Sequence, residues 1–289
     1  MNFEGKTVIV TGSSSGIGQA TALLFAQQGA NVTIHGQSEE KMKVRRWKAN
    51  SNLCCSRQST IHSILGPIQD PKTQRRLIDE TVKKFGQLDV LVNNAGASHR
   101  SDLDPTSLEN MDFVYDVNWK SVVALTMLAV PHLAKTHGNV VNVSAVGSMK
   151  AFPTAHPYMC AKAALDHYSR NAALQYADQG IRVNTVSPGI IATEFVSRHD
   201  EKNQAFPTAS KGNLIETLVP LRRVGNPSEI GNVIVFVASD QASYMTGSMI
   251  VVDGGFLGFW PTTTEAVFQI IVTLTANVDG KILNSLVVY

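Results

Sequence analysis

The chain has 289 residues, a length that fits one large α/β domain better than two small ones. With 44% hydrophobic and 17% charged residues and a net charge of +2, the composition is that of an ordinary globular protein and predicts no nucleic acid partner. No secretory signal pattern is present, and no apolar run approaches the ~20 residues of a membrane span, so we expect a cytoplasmic protein without a membrane span. Three cysteines, two of them adjacent, fit free thiols in a reducing compartment, and no metal site is expected.

The chain opens with the apolar pattern of a short buried strand at residues 7–10, a glycine-rich turn and a helical run at residues 19–28. This order is typical of a loop that binds a dinucleotide, with the pyrophosphate at the helix N-terminus. Gly12 would permit the tight turn, Gly16 the approach of backbone to pyrophosphate, and Gly18 close packing. The alternative is an ordinary strand–helix turn. The candidate cofactor-binding residues of this loop are Gly12, Ser14, Ser15, Gly16, Ile17 and Gly18.

A second strand, predicted at residues 31–35, leads to Gln37, a candidate contact for the cofactor ribose. An acidic residue in this region binds the 2′-hydroxyl of NAD, whereas a basic residue favours the 2′-phosphate of NADP. Gln37 does neither decisively, but the first carboxylate comes only at Glu39, and basic residues follow from Lys41 onward. We therefore expect NADP to be favoured over NAD, while residues 39–46 also fit a solvated helix face.

Residues 43–63 lose the amphipathic pattern and form an atypical segment, which runs into a third strand predicted at residues 61–65. A helix at residues 73–85 and a buried strand at residues 88–92 follow. Small residues after this strand would let the chain pass close to a cofactor, although asparagines here also fit a plain turn. The candidate cofactor-binding residues of this turn are Asn94, Ala95 and Gly96.

Residues 108–134 have the pattern of one long apolar helix that is interrupted only near Asn118. An asparagine inside such a run needs a local hydrogen bond. A strand at residues 140–143 then leads to Ser144.

Tyr158 and Lys162 stand four residues apart in a helical pattern, so both side chains project from one face of the helix. A free tyrosine has a pKa of ~10, and a lysine ammonium at ~4 Å would stabilise the phenolate by ~4 kcal/mol, or about three pKa units. The pair therefore predicts a tyrosine that acts as general acid and base near neutral pH. A Tyr-x-x-x-Lys pair also occurs on ordinary helix surfaces, so the surrounding motifs decide between the two interpretations.

These motifs, in their order and separations, resemble the short-chain dehydrogenase/reductase family. They are the glycine loop from Thr11 to Gly18, the turn at residues 93–96, Asn118, the Tyr158/Lys162 pair, the turn at residues 188–193 and the ending at residues 221–255. The resemblance covers residues 3–255 outside the atypical segment. It implies an α/β fold with a single-domain, doubly wound parallel sheet of the Rossmann type, in which residues 1–255 form the catalytic domain.

The family also assigns roles to the matching residues. It implies that Tyr158 exchanges a proton with the substrate oxygen, that Lys162 lowers the pKa of Tyr158, and that both contact the nicotinamide ribose. Ser144 would orient the substrate, and Asn118 would support a proton relay. The turn after a strand at residues 181–186 would hold the nicotinamide. Its candidate residues are Pro188, Gly189, Ile191 and Thr193.

The sequence departs from the family pattern at two points. The substrate-orienting serine usually lies about thirteen residues before the tyrosine, and that position is Ala145. Either the hydroxyl is missing, or Ser144 or Ser148 supplies it; a missing hydroxyl would cost ~1–3 kcal/mol, or about 10- to 100-fold in rate. Pro67 also stands where the family places an aspartate near the adenine.

Two segments carry no chemistry that we can assign from sequence. Residues 194–216 are polar and aperiodic, as expected of a lid over a substrate site. Residues 256–289 form a C-terminal extension with the pattern of a β-hairpin, which could cover the site, extend a subunit interface or remain loosely attached.

Taken together, the motifs predict an oxidoreductase that interconverts an alcohol and a carbonyl, such as a carbonyl reductase, with NADP or NAD as cofactor and a small-molecule substrate. A catalytically weak dinucleotide-binding protein and a lyase or epimerase on the same fold are the alternatives. A homotetramer or homodimer is implied by the family resemblance. Several apolar residues hint at a lipophilic carbonyl substrate but fit a core equally well; they are Phe152, Pro153, Phe195 and Phe206.

Overall fold

The computed structural model describes residues 1–43, 60–151, 155–195 and 218–258. Its strands are β1 Thr7–Val10, β2 Asn31–Gly36, β3 Ile61–Leu65, β4 Val90–Asn93, β5 Asn139–Val143, β6 Arg182–Pro188 and β7 Met249–Val252. They form one seven-stranded sheet in the order β3-β2-β1-β4-β5-β6-β7, in which every neighbouring pair is parallel. The strand order reverses between β1 and β4, which is where ligands bind in doubly wound sheets. The predicted Rossmann-type fold is confirmed.

Helices cover both faces of the sheet. They are α1 Gly16–Gln27, α2 Pro71–Phe85, α3 Leu108–Tyr115, α4 Ser121–Thr136, α5 His156–Tyr176 and α6 Pro227–Ala238. Helices α1 and α6 pack together in the core on one face, whereas α2, α4 and α5 contribute to the core on the other. Because parallel strands buried on both faces need apolar residues at successive positions, the central strands β1 and β4 are nearly continuous apolar runs.

Strand β1 shows how the sequence builds both cores. Val8 and Val10 belong to the α1 and α6 side, and Ile9 belongs to the opposite side. All three side chains are fully buried. Successive side chains of a strand point to opposite faces, so this short β-branched run joins the two helical layers.

Local signals fix where two of the helices begin. The Asp70 carboxylate accepts a hydrogen bond from the backbone N–H of Lys72 at 3.0 Å, and Pro71 occupies the first turn of α2. Asn226 and Glu229 form a capping box at the start of α6, where the Glu229 carboxylate accepts from the Asn226 N–H at 2.7 Å. Both arrangements satisfy backbone donors that a helix leaves unpaired at its N-terminus.

The long helix predicted at residues 108–134 is three consecutive segments. A π-helical turn, Asp116–Lys120, separates α3 from α4 and contains Asn118, so the predicted irregularity is confirmed. By length and composition alone, the stretch Leu108–Thr136 is apolar enough to cross a bilayer. Within the fold it is a core helix, because Leu125 and Leu133 are fully buried against the sheet.

Several predictions from the sequence fall on residues outside the described ranges. They concern most of the atypical segment at 43–63, the lid at 194–216 apart from Glu194 and Phe195, the extension at 256–289 apart from its first three residues, and Phe152, Pro153 and Phe206.

Candidate active site

A cavity of about 740 Å³ opens at the carboxyl ends of the strands. The turns after β1, β2, β4, β5 and β6 all reach it, as does the first part of α5. Most of the candidate residues therefore line the same cavity. They are Gly12, Ser14, Ser15, Gly16, Ile17, Gln37, Asn94, Ala95, Gly96, Ser144, Tyr158, Lys162, Pro188, Gly189, Ile191 and Thr193. Gly18 and Asn118 do not line the cavity, but each contacts residues of its wall: Gly18 packs against Gly12, and Asn118 hydrogen bonds with Ala97.

The glycine loop is shaped for close approach. Gly12 and Gly16 have φ values of 64° and 54°, in the left-handed region that favours glycine. A Cβ on Gly12 would lie 2.8 Å from the Cα of Ala95, and one on Gly16 would lie 2.9 Å from the Thr193 side chain. Gly18 is buried in α1, where a Cβ would lie 2.5 Å from the Gly12 carbonyl oxygen. The loop thus forms a cradle at the N-terminus of α1, as a dinucleotide pyrophosphate requires.

The turn after β4 is held against the glycine loop by side chains. Thr11 Oγ1 accepts hydrogen bonds from the N–H groups of Asn94 and Ala95 at 2.9 and 3.0 Å. The Asn94 amide donates to the Thr11 carbonyl at 2.9 Å. Asn94 therefore has a structural role in joining the two turns, in addition to its place in the cavity wall.

His35 is a site residue that the sequence analysis missed. It is 2% exposed, its Nδ1 accepts from the Gly12 N–H at 3.1 Å, and its Nε2 lies 3.0 Å from the Gly66 carbonyl oxygen. These two contacts require the neutral tautomer that carries its proton on Nε2. Burial lowers the pKa of His35 to about 4, so the ring stays neutral at neutral pH. A lone histidine on a buried strand gives no sequence signal for this role.

Gln37, Ser38 and Lys41 line the part of the cavity that follows β2. Lys41 Nζ forms an ion pair with Glu194 Oε2 at 2.6 Å, and both side chains are partly exposed. Glu39 is exposed and pairs with Lys43 on the surface. No aspartate or glutamate among the described residues lines the cavity, whereas Lys41, Arg100 and Lys162 do. The wall therefore favours an anionic ligand.

Tyr158 and Lys162 lie on the first two turns of α5, and they are 8% and 3% exposed. Lys162 Nζ donates to the Val143 carbonyl at 2.7 Å and lies 5.6 Å from the centroid of the Tyr158 ring. The Tyr158 ring packs against Phe195, with the ring centroids 5.4 Å apart. The predicted pair is therefore present, buried and open to the cavity.

The predicted pKa of Tyr158 needs a correction. Burial raises the pKa of the Tyr158 phenol above its ordinary value, and the nearby Asp166 adds to this rise. Burial likewise lowers the pKa of Lys162 to about 8. The Tyr-x-x-x-Lys spacing predicts a cation ~4 Å from the phenol, but Lys162 donates to the Val143 carbonyl instead, and the loss of hydration on burial outweighs the attraction between the two groups.

Of the three positions considered for the substrate-orienting hydroxyl, Ser144 and Ala145 line the cavity. Ser144 is 3% exposed and directly follows β5. Ser148 donates to the Ala145 carbonyl at 2.8 Å and is not part of the cavity wall. Ser144 is therefore the hydroxyl that the fold brings to the site.

Asn118 is fully buried in the π-helical turn. Its amide donates to the carbonyls of Ala97 and Val114 at 2.6 and 2.8 Å, and its Oδ1 accepts from the Ala97 N–H at 3.3 Å. A Cβ on Gly96 would lie 2.9 Å from Asn118 Oδ1 and 3.8 Å from Lys162 Nζ, so the three residues meet. The side chain of Asn118 fixes the loop beside Lys162.

No group of three or more histidine, cysteine, aspartate or glutamate side chains within the described ranges is arranged to hold a metal ion. The glycine cradle and the cationic wall do fit a dinucleotide, because they offer backbone donors and positive charge where phosphates would lie.

Comparisons with known proteins agree with this geometry. A family model described as Enoyl-(Acyl carrier protein) reductase matches residues 12–257. The chain is 36% identical over 258 residues to a 3-oxoacyl-[acyl-carrier-protein] reductase of Thermotoga maritima, an alignment that covers 89% of this chain and 100% of that protein.

Solved structures give the same picture. A short-chain dehydrogenase/reductase of unknown function from Caenorhabditis elegans, solved with cofactor, is 37% identical with a TM-score of 0.81, covering 91% of this chain and 98% of that one. A glucose dehydrogenase of the same organism is 38% identical with a TM-score of 0.77, covering 90% and 100%. The chain therefore belongs to the short-chain dehydrogenase/reductase family and is an oxidoreductase that uses a nicotinamide cofactor.

Proposed function

We propose that this enzyme interconverts an alcohol and a carbonyl, with Tyr158 as the general acid and base and with NADP preferred over NAD. The observation that supports the proposal most directly is the buried Tyr158/Lys162 pair, which faces the same cavity as the glycine loop and the turn at residues 188–193. Bound in this cavity, the nicotinamide supplies or accepts the hydride.

Tyr158 transfers the proton. Because burial keeps its pKa high, the phenol is protonated at neutral pH and serves as the acid when a carbonyl is reduced. The proton passes from Tyr158 Oη to the substrate oxygen, and a phenolate remains. With a pKa of about 8, Lys162 is mostly cationic at neutral pH. Its Nζ lies 5.6 Å from the centroid of the Tyr158 ring, so its positive charge helps to stabilise this phenolate.

Two further residues assist this transfer. Ser144 orients the substrate by a hydrogen bond from its hydroxyl to the carbonyl oxygen. Asn118 supports the proton relay behind Lys162 by fixing the loop at Gly96 and Ala97. Neither residue gains or loses a proton overall.

The dinucleotide would lie across the carboxyl ends of the strands. The glycine loop, residues 12–18, would bind the pyrophosphate, and Gln37 with Lys41 would contact the ribose that carries the adenine. Asn94, Ala95 and Gly96 would pass beneath the cofactor. The contacts for the nicotinamide half are Tyr158, Lys162, Pro188, Gly189, Ile191 and Thr193.

The NADP preference is supported by Lys41, a cation at the ribose end of a cavity wall that has no described carboxylate. We expect Lys41→Ala to raise the Kd for NADPH about tenfold and to change that for NADH little, because only NADPH carries a 2′-phosphate. Glu194→Gln should tighten NADPH binding, since it frees Lys41 from the ion pair. Lys43→Ala, at an exposed cation outside the wall, is the matched control. Equal losses for both cofactors in Lys41→Ala would contradict the preference.

The substrate is proposed to be a lipophilic carbonyl or alcohol. Apolar side chains make up much of the cavity wall around Tyr158; they are Phe113, Val146, Met159, Phe195 and Phe256. Burial of such a substrate against these side chains yields roughly 25 cal/mol per Å² of apolar surface.

Assembly and location are also proposals. We propose a homodimer or homotetramer from the family resemblance, with Met127 on α4 and Leu174 on α5, exposed apolar side chains on helices of the same face of the sheet, as candidates for the interface. The free, exposed Cys160 suits a reducing, cytoplasmic compartment. We further propose that residues 1–255 form the catalytic domain and that residues 256–289 are an extension to it.

The deciding experiment combines binding and turnover. Calorimetry with NADPH and NADH is followed, on the same sample, by nicotinamide absorbance with a panel of ketones, quinones and aldehydes. We expect turnover that falls at least 1,000-fold in Tyr158→Phe while the cofactor Kd stays within threefold. Tight binding without turnover of any substrate would instead indicate a catalytically weak binding protein. Substrate conversion without a net absorbance change would indicate a lyase or epimerase.

A further inference from the structure

Phe256 is an aromatic side chain of the cavity wall that lies just beyond the part of the chain covered by the family resemblance, residues 3–255. It follows the last strand, β7, and it is 4% exposed. Its ring packs with Val146, and Ile190 lies against the same apolar cluster. All three side chains line the cavity. The chain beyond residue 255 therefore begins inside the wall of the site.

The neighbours of Phe256 place it at the end of the cavity that contains Ser144. Val146 comes two residues after Ser144, in the turn that follows β5. Ile190 belongs to the turn at residues 188–193, which would hold the nicotinamide. For a carbonyl bound between Ser144 and the nicotinamide, the wall around its substituents then includes Phe256.

The backbone turn that carries Phe256 is fixed by Asp253. The carboxylate of Asp253 accepts hydrogen bonds from the N–H groups of Gly255 and Leu257 at 2.8 and 2.6 Å. Bonds of this kind, from backbone N–H to a charged acceptor, are stronger than neutral ones. A Cβ on Gly255 would lie 2.9 Å from Pro220 Cγ, so the turn also packs closely against its neighbour. The backbone position of Phe256 is therefore set by contacts on both sides of it.

Lys150 holds both the backbone and the ring of Phe256. Its Nζ donates to the Phe256 carbonyl at 3.2 Å and lies over the ring, 4.3 Å from the centroid. An ammonium within about 6 Å of an aromatic centroid is attracted to the face of the ring. Lys150 does not line the cavity. It therefore fixes the orientation of the ring from outside the wall.

Met159 is another apolar side chain of this wall, and it provides a contrast. A methionine side chain has three rotatable bonds and adapts to the shape of its neighbours. The Phe256 ring is rigid, and Lys150 and Asp253 fix its position. A bulky substrate can displace Met159, whereas it meets Phe256 as a fixed obstacle.

We propose that Phe256 is a specificity-determining residue that limits the size of the apolar substituent on the substrate, and that Lys150 is a positioning residue that keeps the Phe256 ring in the wall. The substrate class is a ketone, or the matching alcohol, with an alkyl or aryl substituent. This role rests on the proposed function, because it requires a carbonyl substrate beside Ser144.

The first test compares two ketones that differ by one fused aromatic ring, acetophenone and methyl naphthyl ketone. We expect Phe256→Ala to raise the ratio of kcat/KM for the naphthyl ketone to that for acetophenone by about tenfold or more, because truncation makes room for the second ring. Phe236→Ala removes a partly exposed ring of α6 outside the cavity wall and is the matched control. An unchanged ratio in Phe256→Ala overturns the proposal.

Should Phe256→Ala melt too low to assay, Phe256→Leu keeps an apolar side chain in the cluster. It should raise the same ratio by a smaller factor, and the absence of any rise overturns the proposal equally.

The positioning role of Lys150 is tested by removal and rescue. Lys150→Met should raise the ratio about threefold, through KM more than kcat, because it releases the ring without touching the proton transfer. Lys150→Arg keeps a cation and a donor and should return the ratio to that of the unmodified enzyme. Lys72→Met makes the same charge change at an exposed position of α2 and is the control. Equal ratios in Lys150→Met and Lys150→Arg would overturn the positioning role.

A spectroscopic readout tests the contact without turnover. The protein is labelled with para-fluorophenylalanine and followed by fluorine NMR, and the Phe256 signal is assigned by its loss in Phe256→Leu. With NADP⁺ present, which cannot reduce a ketone, we expect this signal to shift saturably as acetophenone is added. We also expect it to shift in Lys150→Met without any ketone, because the cation over the ring is lost.

The two readouts separate this inference from the proposed function. Turnover of the ketones without a shift of the Phe256 signal overturns the inference and leaves the proposed function standing. A saturable shift without turnover of any ketone supports the contact with Phe256, while the proposed function fails. Absence of both the shift and the turnover overturns both.

Discussion

The two ends of the cavity differ in what forms their walls: backbone at one end and buried side chains at the other. At the glycine-loop end, backbone forms the wall, and Gly12 approaches the turn after β4 more closely than any side chain would allow. At the catalytic end, buried side chains form the wall, and the ionisation of Tyr158 and Lys162 depends on how far burial removes them from water. Backbone shape can therefore be predicted from glycine positions in the sequence, whereas the charge state of a buried side chain depends on the residues that bury it.

The largest effect is expected where the backbone wall is broken. Gly12→Ala places a Cβ 2.8 Å from the Ala95 Cα at a residue with φ of 64°, so the loop and its neighbour must separate. We expect dinucleotide affinity to fall at least 100-fold by calorimetry. The control is Gly86→Ala, at a φ of 83° with nothing within 4 Å of the added Cβ. It should cost about 1–2 kcal/mol of unfolding free energy, because a side chain is strained in the left-handed region, and leave the dinucleotide affinity unchanged. Similar affinity losses in both variants would show that backbone strain alone, rather than the wall, is responsible.

How much the sequence predicts follows the same division. The positions of strands β1 to β6, the glycine loop, the break at Asn118 and the shared helix face of Tyr158 and Lys162 can be predicted from the sequence, because each depends on local periodicity or on glycine positions. The pKa direction of Tyr158 cannot, since it depends on burial by Phe195 and on Asp166, a residue eight positions away. His35 was missed for a related reason: its partner Gly66 lies 31 residues away, on the turn after β3.

The catalytic end is tested next by Ser144→Ala. Removing one hydrogen bond to the substrate oxygen should lower kcat about 10- to 100-fold and leave the Kd for the dinucleotide unchanged. Ser148→Ala removes a hydroxyl that is not in the cavity wall, and it should reduce kcat less than Ser144→Ala. Steady-state kinetics with calorimetry on the same samples measures both quantities. A larger loss in Ser148→Ala would move the orienting role from Ser144 to Ser148.

His35 is a buried side chain that supports the backbone wall, because its ring accepts a hydrogen bond from the Gly12 N–H of the glycine loop. His35→Asn can still accept from the Gly12 N–H, whereas His35→Gln can still donate to the Gly66 carbonyl, because the two amides reach different ring positions. We therefore expect His35→Gln to weaken dinucleotide binding about three- to tenfold more than His35→Asn. The reverse order would mean that the Gly66 contact, not the Gly12 contact, shapes the loop.

The same residue makes stability depend on pH. The pKa of His35 is about 4 when folded and ~6.5 when unfolded, so the unfolded chain binds the extra proton between these values. The unfolding free energy should therefore fall by about 3 kcal/mol in total as the pH drops from ~6.5 to ~4. Above ~6.5 the full contribution of the buried, neutral His35 to stability is present. Urea titrations at several pH values measure this slope. His35→Asn should reduce it, and an unchanged slope would assign the acid sensitivity to other groups.

The smallest effect is expected for Ala145→Ser, which restores the serine that the family usually has at this spacing. Ala145 lines the cavity, but Ser144 already brings a hydroxyl to the same wall, so a second one is expected to change kcat/KM by less than threefold. The added hydroxyl can also hydrogen bond within the turn, where Ser148 already donates to the Ala145 carbonyl. The informative comparison is therefore the double variant Ser144→Ala with Ala145→Ser. If position 144 alone has the right geometry, the double variant stays as slow as Ser144→Ala. Recovery to within threefold of the unmodified enzyme would mean that the turn after β5 can present a hydroxyl from either position, and that side-chain placement at the catalytic end tolerates a one-residue change in spacing.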